Sequence, residues 1–242
     1  MGHSMTDMPW DPAWALNEEQ QHPNYEAVLA RVEVGPGRRV LDVGCATGVF
    51  LEMCAARGAT VAGLDITPAL IARARERVPA ADLRVGDLQT LPFADEAFDL
   101  VTGFGSFFYA ADVAAALREA ARVTRPGGAV AVQVFGRPDR CDLEALKPRP
   151  GAWRPALADE LMPLPIEHSF DVSWAYEYGS DDELVAALRA GGAISLRGER
   201  ILAALAHCRR PDGGYRVANE WHVVIGRNQR PKLAAIPCSV CS

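Results

Sequence analysis

Between Arg38 and Gly136 the chain alternates short apolar runs with helical patterns and tight turns, and this alternation restricts the fold more than any other feature. The runs RVLDVG (39–44), TVAGLD (60–65), LRVGD (83–87), FDLVTGF (98–104) and AVAVQVF (129–135) are nearly continuous in apolar residues. Strands of that kind suit a parallel sheet covered on both faces. Helical patterns lie between them. The segment 48–57 ends at Gly58, a C-terminal cap. Thr67-Pro68 offers an N-cap and a proline at the first helical position. The segment 112–124 is stopped by Pro126-Gly127-Gly128. Strand, helix and strand repeated in this way predict an α/β fold with right-handed crossovers and a doubly wound, mostly parallel sheet.

The flanks read differently. Residues 1–35 hold one amphipathic helix candidate, Asn24 to Val34, and are expected to form a helical lid segment before a core at 36–136. Residues 137–180, rich in Pro, Arg and aromatics without a clean period, are read as a lid or acceptor-site insertion. A helix at Asp181–Ala190 follows. ISLRGERILAAL (194–205) and YRVANEWHVVIGR (215–227) read as an antiparallel strand pair joined at Pro211-Asp212-Gly213-Gly214, completing the core over 181–227 before a tail at 228–242. No apolar stretch is long enough to span a bilayer, and Met1–Pro12 lacks the apolar core of a secretory signal. Six scattered Cys do not make a disulfide framework, which favours a reducing cytoplasm. The tail pair Cys238 and Cys241 has no second pair to complete a zinc site, so no metal is expected. A net charge of −6 gives no basic footprint for nucleic acid.

In an open α/β sheet, ligands bind beyond the carboxyl ends of the strands. The first strand runs into Asp42-Val43-Gly44-Cys45-Ala46-Thr47-Gly48, the second ends at Asp65, the third at Asp87 and the fourth at Gly103-Phe104. Gly44 and Gly48 allow a ligand close to the backbone, and the following helix N-terminus offers N–H groups to a carboxylate or phosphate. Asp65 is placed to accept hydrogen bonds from both ribose hydroxyls, and Asp87 from an adenine amino group. Purely structural roles compete: Asp42 as an organiser of the loop, Asp65 as a cap for the helix begun at Thr67, Asp87 as a turn residue. The loop lacks the third glycine of the dinucleotide fingerprint, with Val49 in its place, and a P-loop Lys-Ser/Thr is absent.

VLDVGCATGVF (40–50) resembles the first motif of class I S-adenosylmethionine-dependent methyltransferases. GLD (63–65), VGDLQTLPF (85–93), FDLVTGFGSFFY (98–109) and REAARVTRPGGAVAVQVFG (118–136) are similar to the later motifs in order and spacing. The resemblance implies a seven-stranded Rossmann-like sheet with an antiparallel C-terminal strand pair, and S-adenosylmethionine as cofactor. It implies that Gly44, Cys45, Ala46 and Gly48 line the methionine end, Asp65 holds the ribose, and Ile66 lies against the adenine. Asp87 and Leu88 would hold the adenine edge and face, and Gly103 would meet the amino-acid end. The sequence departs from the pattern at Ala46, where the family has the middle glycine of its loop.

A sulfonium methyl is already activated, so the protein's main tasks are orientation and exclusion of water. Phe104, Phe107, Phe108 and Tyr109 are candidates to place aromatic faces or packing near the cation. All five Trp and all five His lie outside 36–135, so the flanks are expected to build the acceptor site. The expected acceptor is a small molecule, such as a secondary metabolite; the place after the fourth strand reads Thr102-Gly103-Phe104-Gly105 rather than the motif of base-amino methylases. If a base is needed, His168 beside Glu167 is the first candidate. A family member that holds the cofactor but runs another reaction, or one that only binds it, are the competing readings.

Overall fold

A computed structural model describes residues 15–146, 155–190 and 196–229. His3, Trp10, Trp14, Trp153 and the Cys238/Cys241 pair lie outside them. Helices α1 (Ala15–Glu18) and α2 (His22–Leu29) precede β1 (Arg39–Val43), α3 (Val49–Ala56), β2 (Thr60–Asp65), α4 (Pro68–Arg77), β3 (Asp82–Val85) and β4 (Phe98–Phe104). Then come α5 (Val113–Val123), β5 (Thr124–Phe135), α6 (Pro155–Leu161), β6 (Ile166–Tyr178), α7 (Asp181–Ala190), α8 (Gly198–Ala204) and β7 (Tyr215–Arg227). One seven-stranded sheet has the order β3-β2-β1-β4-β5-β7-β6. β1 to β5 are mutually parallel, and β7 runs antiparallel to both β5 and β6. This is the doubly wound, mostly parallel sheet expected from the sequence.

The apolar runs sort to the two faces by strand alternation. Leu41, Val43, Val101, Val130, Val132 and Val224 meet α5 and α6 on one face. Val40, Leu100, Ala129, Ala131, Val223 and Ile225 meet α2, α3 and α4 on the other. A third cluster under α7 and α8 takes Tyr176, Tyr178, Val217 and Trp221 from the top of β6 and β7. Asp112 caps α5 by accepting from Ala115 N–H at 2.9 Å, and Ala116, Leu117, Ala120 and Val123 form its buried stripe.

Two readings of the C-terminal third are corrected. Of the segment 194–205, the described residues 196–205 are not a strand: α8 occupies Gly198–Ala204, with Ile201 and Leu205 buried one turn apart and Glu199 and Arg200 exposed. An i, i+4 apolar pair is a helical stripe. The turn at 211–214 does form, with Gly213 at φ +90° and Gly214 N–H donating to Asp212 at 2.9 Å, but upstream it yields only the isolated bridge Arg209–Tyr215. The true partner of β7 is β6, inside the region read as an insertion. Its side chains alternate His168, Phe170, Val172, Trp174, Tyr176 and Tyr178 on one face with polar or small residues on the other. Residues 137–146 of that region are tied down as well. Beyond Phe135, residues 137–146 take over the side of β7 that β5 leaves. Ala218 N–H donates to Asp142 at 2.7 Å, Leu143 N–H to Asn219 at 3.3 Å, and Arg140 pairs with the buried Glu220 at 2.9 Å.

Candidate active site

The loop after β1 turns at Gly44 (φ +76°), Ala46 (φ +45°) and Gly48 (φ +85°) before α3 begins. All its N–H donors are used inside the protein. Gly44 and Cys45 donate to the Leu64 carbonyl, and Gly48 to the Cys45 carbonyl. Ala46 donates to Asp65 Oδ2 at 3.0 Å. Thr47 N–H and Val49 N–H donate to Glu18 at 2.9 and 3.1 Å, and the Thr47 hydroxyl donates to it at 2.7 Å. The expectation of a helix N-terminus waiting for a ligand carboxylate is therefore corrected: Glu18 of α1 supplies that carboxylate from within the chain. The sequence does not show this, because Glu18 lies 29 residues before Thr47.

Three buried carboxylates thus ring the loop: Glu18, Asp42 and Asp65. Asp42 accepts from the Thr102 hydroxyl at 2.6 Å. Burial pushes its carboxyl up to about 7, Thr102 opposes this, and the charges of Glu18 and Asp65 add to the rise. Burial also raises Glu18 and Asp65, against the hydrogen bonds each accepts. A loop with no spare donor, surrounded by acids, disfavours phosphate and favours a cation.

Asp65 spends one oxygen on Ala46 and the other on Thr67 N–H at 2.9 Å, so it does organise the start of α4. The Thr67 hydroxyl and Ile66 N–H also donate to it, so a bound ribose would compete with these local donors. Ile66 beside it is half-buried. Asp87 is exposed and accepts from Gln89 N–H at 2.8 Å, the turn geometry weighed against a ligand role, while Leu88 is buried in the core. Gly103 and Gly44 have a structural reason to be glycine. A Cβ on Gly103 would lie 2.3 Å from the Phe107 ring, and one on Gly44 2.4 Å from Ser106 Cβ. Ser106 in turn donates to the Val43 carbonyl at 2.6 Å, locking the loop after β4 onto the loop after β1. Cys45 is buried, with its thiol raised by burial and by the nearby acids.

The aromatics after β4 serve packing. Phe104 sits 4.7 Å from Tyr25 and 4.8 Å from Phe50, and Phe107 and Phe108 are in the core. His168 is corrected as a base. It lies on the edge strand β6 opposite Ile225, which is level with Ala131, Thr102 and Asp42, below the strand ends. Three strand spacings of about 4.8 Å separate β6 from β4, on the order of 14 Å. Glu167, expected to orient its ring, instead accepts from Arg227 at 2.6 Å. His222 is clamped between Asp171 at 2.7 Å and Asp159 at 2.9 Å on the α6 face. The fold also gathers Asp142, His207 and Cys208, a set invisible to linear spacing, with His207 Nε2 3.0 Å from Asp142 and 3.3 Å from Cys208.

The profile of the family described as "Methyltransferase domain" matches residues 41–132, which run from within β1 into β5 and hold the glycine loop, Asp42 and Asp65. Residues 41–132 form a class I S-adenosylmethionine-dependent methyltransferase domain. An uncharacterised protein of Mycobacterium tuberculosis is 35% identical over 166 residues, 62% of this chain and 58% of that protein. A demethylmenaquinone methyltransferase of Mycobacterium sp. strain KMS is 42% identical over 110 residues, 45% of this chain and 46% of that one. The chain thus spans about three-fifths or less of the length of the curated relatives it matches. Among solved structures, a putative methyltransferase from Bacillus halodurans has the same fold at TM-score 0.66 and 16% identity, covering 85% of this chain and 98% of that one. The cofactor of the methyltransferase domain is S-adenosylmethionine, whose sulfonium and ammonium charges fit a loop ringed by acids. No helix among the described residues is long and apolar enough to cross a membrane.

Proposed function

We propose that this protein methylates a small-molecule acceptor with S-adenosylmethionine. The observation that carries the reading is the acid-ringed, donor-exhausted loop inside a methyltransferase domain. When bound, the cofactor supplies a methyl group on a positive sulfur. Gly44, Cys45, Ala46 and Gly48 would line its methionine end, with Asp42 and Glu18 supplying negative field. Asp65 would take the ribose hydroxyls in place of part of its local bonding to Thr67 and Ile66, Ile66 and Leu88 would take the faces of the adenine, and Asp87 its edge once Gln89 yields. Gly103 and Phe104 would border the amino-acid end through backbone and ring edge. No described histidine is both buried and on the α1–α2 face at the strand tops, so the chain's contribution to rate is orientation and a dry site.

The relative named demethylmenaquinone methyltransferase is named for an acceptor that is not a macromolecule, which supports a small-molecule acceptor here; its alignment covers 46% of that protein. In this plan α1–α2 and residues 137–146 border the acceptor, over a core that includes β6. Incubation with S-adenosylmethionine and a panel of hydroxylated ring compounds should yield a product heavier by one methylene unit, with S-adenosylhomocysteine in equal amount. Product formed with the cofactor unchanged would favour a non-methylating reaction instead.

A further inference from the structure

Helices α1 and α2 bridge the top of the sheet. On one side Glu18 holds Thr47 and Val49 beside β1. On the other, Gln20 exchanges hydrogen bonds with the Glu177 backbone at 2.6 and 3.1 Å, and Asn17 accepts from the Tyr178 hydroxyl at 2.8 Å, both on β6. The tops of β4, β5 and β7 lie between these anchors. An aromatic row crosses that span: Phe135 stacks on Trp221 at 4.5 Å, Trp221 on Trp174 at 5.4 Å, and Trp174 meets Tyr176 at 5.8 Å.

Set into this region are buried polar atoms with no hydrogen-bond partner: both amide atoms of Gln133, both of Asn24, Oε1 of Gln21, and the indole nitrogens of Trp221 and Trp174. They converge from two sides. Gln133 pairs with Phe104 and Val223 and points to the same face as Ala131. Trp221 stands directly opposite Phe135. Asn24 precedes Tyr25, whose ring touches Phe104, and Val28 one turn later belongs to the same core cluster as Val223 and Ile225, so α2 sets Asn24, and Gln21 just before it, on that side of the sheet. Buried polar groups are normally paired, and a cluster this dense calls for a partner that binds.

Resting on the methyltransferase reading, we propose that this is the acceptor chamber and that it selects a neutral, flat ring compound carrying a carbonyl oxygen. Phe135 and Trp174 cover both faces of Trp221, which leaves its edge N–H; an indole can only donate, so the ligand brings an acceptor oxygen. The amides of Gln133 and Asn24 also donate, so they too serve that oxygen. The partnerless groups are all uncharged, and the nearby Glu18 and Asp42 repel an anion.

Chromone, naphthalene and chromone-2-carboxylate probe this in the full chain saturated with S-adenosylhomocysteine. Chromone should bind roughly tenfold or more tightly than either comparison ring, the scale of one or two net hydrogen bonds. Gln133→Leu and Asn24→Leu should each weaken chromone about fivefold to tenfold, leave cofactor affinity unchanged, and raise the melting temperature of the free protein by removing a partnerless buried amide. A merely structural amide would lower it. Equal binding of chromone and naphthalene, preference for the carboxylate, or melting temperatures that fall in both variants would overturn the chamber. Loss of cofactor binding by the parent would instead overturn the methyltransferase reading.

Discussion

Ala46 carries the departure from the family loop, and its conformation shows what that departure costs. At φ +45° an L-residue sits in the left-handed region that glycine occupies freely. Ala46→Gly should stabilise the protein by about 0.5–1 kcal/mol, the relief of strain less the added freedom of the unfolded chain; a lower midpoint in chemical denaturation would show that the methyl group packs better than the turn suffers. Asp42 makes a second prediction. Its carboxyl is raised to about 7 in the folded protein against 3.8 for the free group. Protonation therefore favours the folded state. The contribution is full below about pH 3.8, falls as pH rises toward 7, and is at its minimum above that. Asp42→Asn should flatten this part of the stability–pH curve. A variant that keeps the parent's slope would place the proton elsewhere. Asp65→Asn, which keeps the size of the side chain, should lose roughly 1.5–3 kcal/mol of S-adenosylmethionine affinity, the scale of hydrogen bonds to a charged group. Unchanged affinity in calorimetry would reduce Asp65 to a cap for α4.

At the scale of elements, the core from β1 to β5 was legible because each buried strand is a local apolar run and each helix boundary carries its own cap or breaker. β6 escaped because its alternation was averaged with a proline-rich stretch, although Pro138, Pro148, Pro150, Pro155, Pro163 and Pro165 all precede Ile166. α8 escaped because an apolar run of Ile201, Leu202 and Leu205 satisfies either period until packing on α7 decides. The role of Glu18 could not be read at all, since a cap supplied from a distant helix leaves no local spacing. These differences alter what should move. β6 is hydrogen-bonded to β7 along its length, so its β7-facing amides should exchange slowly, while 137–146, held by short 3-10 turns, should exchange faster. Fast exchange through 168–178 would contradict the strand. Glu18→Gln keeps one acceptor oxygen, enough for Thr47, but turns an NH2 toward Val49 N–H and removes a buried charge. It should lower the melting temperature at pH 8 and weaken S-adenosylmethionine severalfold; an unchanged melting temperature and affinity would mean that neither the second acceptor nor the charge is needed there.

For the whole molecule, the account turns on charge placed at one point of a common fold. The sheet, the loop and the packing of Ser106 and Phe107 against Gly44 and Gly103 would serve many nucleosides. What distinguishes this site is that every loop N–H is already bonded while three acids stay buried around it. Such a site should bind the sulfonium cofactor better than its neutral, demethylated product, and should not bind NAD, whose pyrophosphate finds no donors. Ionised Asp42 is favoured when a cation arrives, so binding near pH 6.5 should release a fraction of a proton. The most direct measurement is calorimetric titration of the free protein with S-adenosylmethionine, S-adenosylhomocysteine and NAD, in two buffers of different ionisation enthalpy. The account predicts the order S-adenosylmethionine, then S-adenosylhomocysteine, with no NAD binding, and proton release that disappears in Asp42→Asn. Binding of NAD, or failure to bind S-adenosylmethionine by a folded protein, would contradict it.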